Sequence, residues 1–123
     1  MTLNQRVVKI KFFLNQTAQN IIEIGKELTA AKNEVPHGDW QNWLDNNFGM
    51  SIYTAARFIK IANRFSNLPT SAKFNSSQMF EMLALPVGKT EKFIADKAAE
   101  GKAVEDMTVK TLRDEVSKYR ADL

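Results

Sequence analysis

Residues 39–65 read DWQNWLDNNFGMSIYTAARFIKIANRF, and the fold turns on this stretch. Trp40, Trp43, Leu44 and Phe48 recur at i, i+3, i+4 and i+8, the spacing that puts side chains on one face of a helix. Asp39 stands where a helix N-cap or first-turn acid belongs, and Gly49 stands where a helix stops. Ser51 then offers a second N-cap. From there Ala55, Phe58, Ile59, Ala62 and Phe65 form the apolar stripe of another helix, over about 52–66. Residues 39–66 are therefore expected to form a helix, a tight turn carrying Gly49, Met50 and Ser51, and a second helix, which is the helix-turn-helix arrangement.

In such an arrangement the second helix enters the major groove of DNA, and its first residues meet base edges. Tyr53, Arg57, Lys60 and Arg64 recur at i, i+4, i+7 and i+11, opposite the apolar stripe. Arg57 is the candidate for a bidentate contact with guanine, and Tyr53 for a backbone or thymine-methyl contact. Lys60 and Arg64 are assigned to phosphate. Ser51 and Thr54 bring hydroxyls and free backbone N–H groups to the helix start, where phosphate binds. The same spacing also describes a helical hairpin with a solvated basic face. Ile52 and Tyr53 are bulkier and more apolar than usual base-reading residues, which leaves room for a protein-facing use of the helix.

Charge supports the basic reading. The chain of 123 residues carries a net +3. Residues 1–45 balance five acids with five bases, and residues 81–123 hold nine acids and eight bases. Residues 46–80 contain no acid at all, but do contain Arg57, Lys60, Arg64 and Lys73. The whole positive excess thus comes from one window centred on the second helix, which hints at a polyanion partner.

Upstream, residues 3–33 are expected to form one long helix, without proline and with Gly25 as its only glycine. Val7, Leu14, Ile21 and Leu28 recur every seven residues. Leu3, Ile10, Ile24 and Ala31 fill the second heptad position, with Thr17 as its polar member. Val8, Phe12 and Ile22 add a stripe on a neighbouring face. Two stripes must both be buried, against the rest of the domain or against a second copy. Val7, Ile10, Leu14, Ile21, Ile24 and Leu28 are the candidate dimerisation residues. Pro36, His37 and Gly38 end this helix.

Downstream, residues 67–76 are rich in turn formers. Ser76 or Ser77 is expected to cap a short helix through Met79, Phe80, Met82 and Leu83, which Pro86 ends. Another helix is expected from about Val87 to Ala99, with Phe93 and Ile94 inward and Gly101 as its stop. A short extended link runs from Val104 to Met107, and Thr108 caps a last helix through Val109, Leu112, Val116 and Tyr119. No strand-forming alternation occurs. The expected fold is all-α and a single domain over residues 1–123: a long helix, a helix-turn-helix, and three short C-terminal helices.

Several functions find no machinery. There is no cysteine and one histidine, His37, so neither a metal site nor a triad has its ligands or partners. The doublets Glu105–Asp106 and Asp114–Glu115 read as polar surface rather than as a catalytic carboxylate pair. The five glycines are scattered and build no phosphate-cradling loop. Trp40 and Trp43 can stack on bases, but at helical spacing with Leu44 they read as core, as do Met79 and Met82. No catalytic residue, metal or cofactor is expected. No stretch approaches a membrane span or a signal-peptide core, so no membrane contact and a cytoplasmic location are expected.

The residues Gly25, Lys26, Leu28, Ala31 and Lys32, then His37, Gly38, Trp40, Trp43, Leu44, Phe48, Gly49, Ser51, Thr54, Ala55, Arg57, Ile61, Ala62, Arg64 and Phe65, fit the pattern GKxLxxAK followed by HGxWxxWLxxxFGxSxxTAxRxxxIAxRF. This resembles a family of phage- and plasmid-encoded proteins known only as a domain of unknown function. The segment from Leu83 onward is similar in layout to the region downstream of the helix-turn-helix in plasmid-partition ParB-like and phage regulatory proteins. The resemblance implies a mobile-element setting and a helix-turn-helix-like centre. The helix-turn-helix, its basic stripe and the Ile52–Tyr53 pair give two expected functions. One is a regulatory or replication and partition accessory protein that binds duplex DNA as a homodimer, with half-sites about one helical turn apart. The other is a phage-encoded antagonist or adaptor that binds a host protein, such as an inhibitor of a defence nuclease. A third reading is a coiled-coil structural module without nucleic-acid affinity.

Overall fold

A glycine in the middle of the first helix sets the architecture. A computed structural model describes residues 2–123, without the side chain of Lys11. Helix α1 spans Leu3–Glu34, α2 Trp40–Phe48 and α3 Ile52–Phe65. α3 crosses α1 at Gly25, where a Cβ would lie 2.2 Å from the carbonyl oxygen of Phe58 and 2.6 Å from Cβ of Ala62. Only a residue without a side chain permits so close a backbone approach. Around the crossing, Leu28, Leu44 and Ala55 are buried, with Trp40, Trp43, Met50, Phe58 and Ile59 packed against them. The two tryptophan rings stack with centroids 5.5 Å apart and planes 9° from parallel, and the Lys32 ammonium lies 5.9 Å from the Trp40 ring centroid. Both rings are thus part of the packing, as their spacing implies.

The C-terminal half packs on the other side of α3. Helices α4 (Ser76–Met82), α5 (Thr90–Ala99) and α6 (Val109–Ala121) close a second, larger core. Ala18 and Ile22 of α1 and Ile61 and Phe65 of α3 meet Met79 and Met82 of α4, Phe93 of α5 and Leu112 and Val116 of α6. Residues 77–123 therefore pack directly on the helix-turn-helix. No strand occurs among the described residues, and the all-α reading holds.

The helix ends follow capping chemistry, with four departures from the expected boundaries and caps. Asn75, not Ser76 or Ser77, caps α4: its side chain accepts from the Gln78 N–H while the Gln78 side chain accepts from the Asn75 N–H. α5 begins at Thr90 rather than Val87, because Gly88 takes φ 88° in the turn after Pro86. Residues 104–106 form a 3₁₀ turn rather than an extended link. Asp39 stands at the N-cap of α2 but makes no side-chain cap hydrogen bond. Thr108 caps α6 as expected.

Two polar side chains fasten the C-terminal layers. Gln78 is buried, and its Nε2 donates to the carbonyl oxygens of Val104 (3.3 Å), Glu105 (3.1 Å) and Met107 (3.2 Å). One amide thereby holds the 3₁₀ turn against α4. Glu115 is also buried, which corrects its assignment to the polar surface. Its carboxylate accepts from Lys97 Nζ at 2.9 Å, joining α6 to α5.

A candidate nucleic-acid interface

The turn between α2 and α3 has the geometry the sequence demands. Gly49 sits in the left-handed region at φ 61°, ψ 31°, and its N–H donates to the Asp45 carbonyl at 3.2 Å. Ser51 caps α3: its Oγ accepts from the Thr54 N–H at 3.1 Å, and its hydroxyl lies 3.2 Å from Thr54 Oγ1. Both hydroxyls are thus engaged with each other at the helix start, and both residues are exposed. Tyr53 and Lys60 project into solvent, Tyr53 with 79% of its surface accessible.

The two arginines lie differently from the simple outward stripe. Arg57 is exposed but lies against α4, its guanidinium carbon 4.3 Å from the Phe80 ring centroid. Arg64 turns inward. Its Nη1 lies 3.2 Å from the Met82 carbonyl oxygen, 3.0 Å from that of Leu85 and 3.2 Å from Thr90 Oγ1. The guanidinium adds a charged donor to the Met82 carbonyl, which also accepts from the Leu85 N–H at 3.0 Å, and to the Leu85 carbonyl, and it ties the α4–α5 turn to α3. Burial lowers the affinity of this group for its proton, yet an arginine stays charged in a protein. Five of the six proposed contact residues, Ser51, Tyr53, Thr54, Arg57 and Lys60, lie exposed along α3 and its cap, ahead of Arg64. Arg64 belongs to the fabric of the fold.

The rest of the open face is not marked by the charge pattern. Tyr53, Ala56, Lys60, Asn63 and Asn67 recur at i, i+3, i+7, i+10 and i+14, and all are exposed. Asn63, Asn67 and Lys60 line one wall of a groove of about 610 Å³, whose other wall is Val87, Gly88, Thr90 and Glu91. The signal in the sequence is a period of polar residues broken only by the small Ala56. The arginines hide it, because Arg64 at the end of their stripe turns into the α4–α5 contact, while Arg57 stays exposed beside Phe80. Asparagine offers a donor and an acceptor side by side, the pair that reads adenine in the major groove.

Among the described residues no three His, Cys, Asp or Glu side chains gather as a metal site. Among the described residues no helix is long and apolar enough to cross a membrane.

An all-helical fold centred on a helix-turn-helix hairpin is thus the class of protein defined by this geometry. The chain belongs to the family described as "Protein of unknown function (DUF3102)", whose pattern matches residues 3–119. No curated protein and no solved structure matches it.

Proposed function

We propose that this protein binds duplex DNA by laying α3 in the major groove, as a regulatory or replication and partition accessory protein of a phage or plasmid. The observation that carries the reading is the glycine-turned α2–α3 hairpin, which presents the exposed residues Tyr53, Arg57 and Lys60 within a 35-residue window free of acids. Tyr53 and Arg57, near the helix start, face the bases, with Thr54 and Ser51 toward the backbone. Lys60 meets phosphate, and Asn63 extends the reading face. The test is fluorescence anisotropy of labelled random duplex DNA at rising salt. Binding that weakens steeply with salt is expected, since each neutralised phosphate releases counterions. Arg57→Ala is expected to cost about 1–3 kcal/mol and to relax base preference. No binding at low salt overturns the reading.

A second reading is favoured by the exposed Ile52 and Tyr53 side by side at the helix start. An antagonist or adaptor would use this apolar pair to grip a host protein. A Tyr53→Ser variant that loses capture of such a partner, in a protein whose DNA anisotropy is flat throughout, would establish it instead.

A further inference from the structure

We infer that residues 3–14 of α1 form an antiparallel two-helix contact with the same residues of a second copy of this chain. The inference stands apart from the DNA reading. The face of α1 that buries Ala18, Ile22 and Leu28 against the rest of the protein runs on toward the N-terminus through Leu14, Ile10, Val7 and Leu3, where no described residue encloses it. These four are 44%, 57%, 48% and 81% exposed, whereas Leu28, in the same heptad series, is 4% exposed. The seam expected to dimerise over its whole length is thus divided. Leu28 is enclosed by this chain's own core and Ile21 is packed against it, Ile24 between them is 41% exposed, and Val7, Ile10 and Leu14 are open.

The overhang is a finished helix. Thr2 and Gln5 form a reciprocal capping box, the Thr2 side chain accepting from the Gln5 N–H and the Gln5 side chain from the Thr2 N–H. Its twelve residues extend about 18 Å at the helical rise of 1.5 Å per residue.

The spacing selects the occupant. Leu3, Val7, Ile10 and Leu14 alternate by four, three and four, the interval at which knobs of one helix fill holes of another. Val8, Phe12 and Phe13 are exposed on the other faces of the same segment and lie outside this seam. Under a two-fold axis it is its own complement: Leu3 stacks on Leu14 of the second copy, and Val7 on Ile10. Self-complementary pairing of this kind is what an isologous interface requires. Antiparallel order also carries the two folded bodies to opposite ends of the contact. Parallel order would crowd them together on one side.

The test is sedimentation of the full chain across a range of concentrations. A monomer–dimer equilibrium is expected. Ile10→Glu should shift it to monomer with unchanged helicity, because Ile10 is outside the core, whereas Val8→Glu, exposed but off the seam, should leave it in place. Orientation is read by disulfide formation, since the chain has no cysteine of its own. Leu3→Cys and Leu14→Cys proteins, each oxidised alone, should stay uncrosslinked, and an equal mixture should give a covalent dimer, because only the mixed pair brings Cα atoms within disulfide reach. A monomer at every concentration overturns the inference, as does a dimer indifferent to Ile10→Glu. Crosslinking of Leu3→Cys alone overturns the antiparallel order. A monomer that binds anionic vesicles instead would show that lipid, not a second copy, covers the seam.

Discussion

Gly25 and Phe58 meet backbone to side-chain position: a β-carbon on Gly25 would lie 2.2 Å from the Phe58 carbonyl oxygen. No rotamer relieves that contact, because the obstacle is main chain. Gly25→Ala should gain up to about 1 kcal/mol of helix propensity. It should lose about 1–3 kcal/mol or more through the forced separation of α1 and α3. Net destabilisation is expected in urea or thermal unfolding. An unchanged midpoint would show that the two helices can part without cost.

The cations of α3 divide into those that hold the fold and those that face solvent. Arg64→Ala leaves the carbonyls of Met82 and Leu85 without their charged donor and should destabilise by about 1.5–3 kcal/mol. Lys60→Ala touches no partner in the fold and should stay within about 0.5 kcal/mol of the parent. In anisotropy titrations Lys60→Ala should weaken DNA binding for all sequences alike and reduce the salt slope by about 1. Denaturation and binding measured on the same two variants check the division. If Lys60→Ala alters stability and not affinity, its assignment to phosphate fails.

Gln78 can be tested by an isosteric change. Glu at this position would aim a carboxylate at the three carbonyl oxygens of Val104, Glu105 and Met107. Its protonated form can still donate one hydrogen bond, so the folded state should hold that proton more tightly than the unfolded state does. The sign is fixed by that difference: Gln78→Glu should be mildly destabilised at acid pH and progressively more so as pH rises through the raised carboxyl value. Gln78→Leu should lose about 1–3 kcal/mol without pH dependence, from unsatisfied buried acceptors. Parallel pH series of thermal unfolding for the two variants would decide it.

The Lys97–Glu115 pair gives the native protein a pH signature. The hydrogen bond from Lys97 holds the Glu115 carboxyl below the ordinary carboxylate value. The hydrogen bond to Glu115 holds the Lys97 ammonium above the ordinary lysine value. A depressed carboxyl contributes stability at pH above its unfolded value, and that contribution is lost as pH falls through its folded value. A raised ammonium contributes below its unfolded value and is lost as pH rises through its folded one. Stability from this pair is therefore greatest in the neutral range and declines at acid and strongly alkaline pH. Glu115→Gln should flatten the acid side of the unfolding curve relative to the parent. Identical acid limbs would count against the pair.

The local periodicities carry most of this architecture. Trp40, Trp43 and Leu44 on one turn spacing, Gly49 as a stop and Ser51 as a cap place α2 and α3 almost to the residue. The features that escape such a reading are those decided by partners distant in sequence. Arg64 shares a helical stripe with Tyr53, and nothing in residues 51–66 announces that the carbonyls of Met82 and Leu85 wait beside it. Glu115 reads as surface until Lys97 is folded against it. Asn75, Ser76 and Ser77 are all competent caps, and only the reciprocal bond with Gln78 chooses among them. The heptad of α1 is legible throughout, but which half of it packs inside one chain depends on where α3 crosses, and that is fixed by Gly25.

The overhanging start of α1 also behaves as a measuring rod. If Leu3 sits on Leu14 of a second copy, the two Gly25 crossings lie roughly 50 Å apart at 1.5 Å per residue. Each crossing carries its own α3. Such a pair spans more than the roughly 34 Å of one duplex turn. Two operator halves read at once would have to be spaced well beyond a single turn, or the intervening duplex would have to bend to bring them within reach.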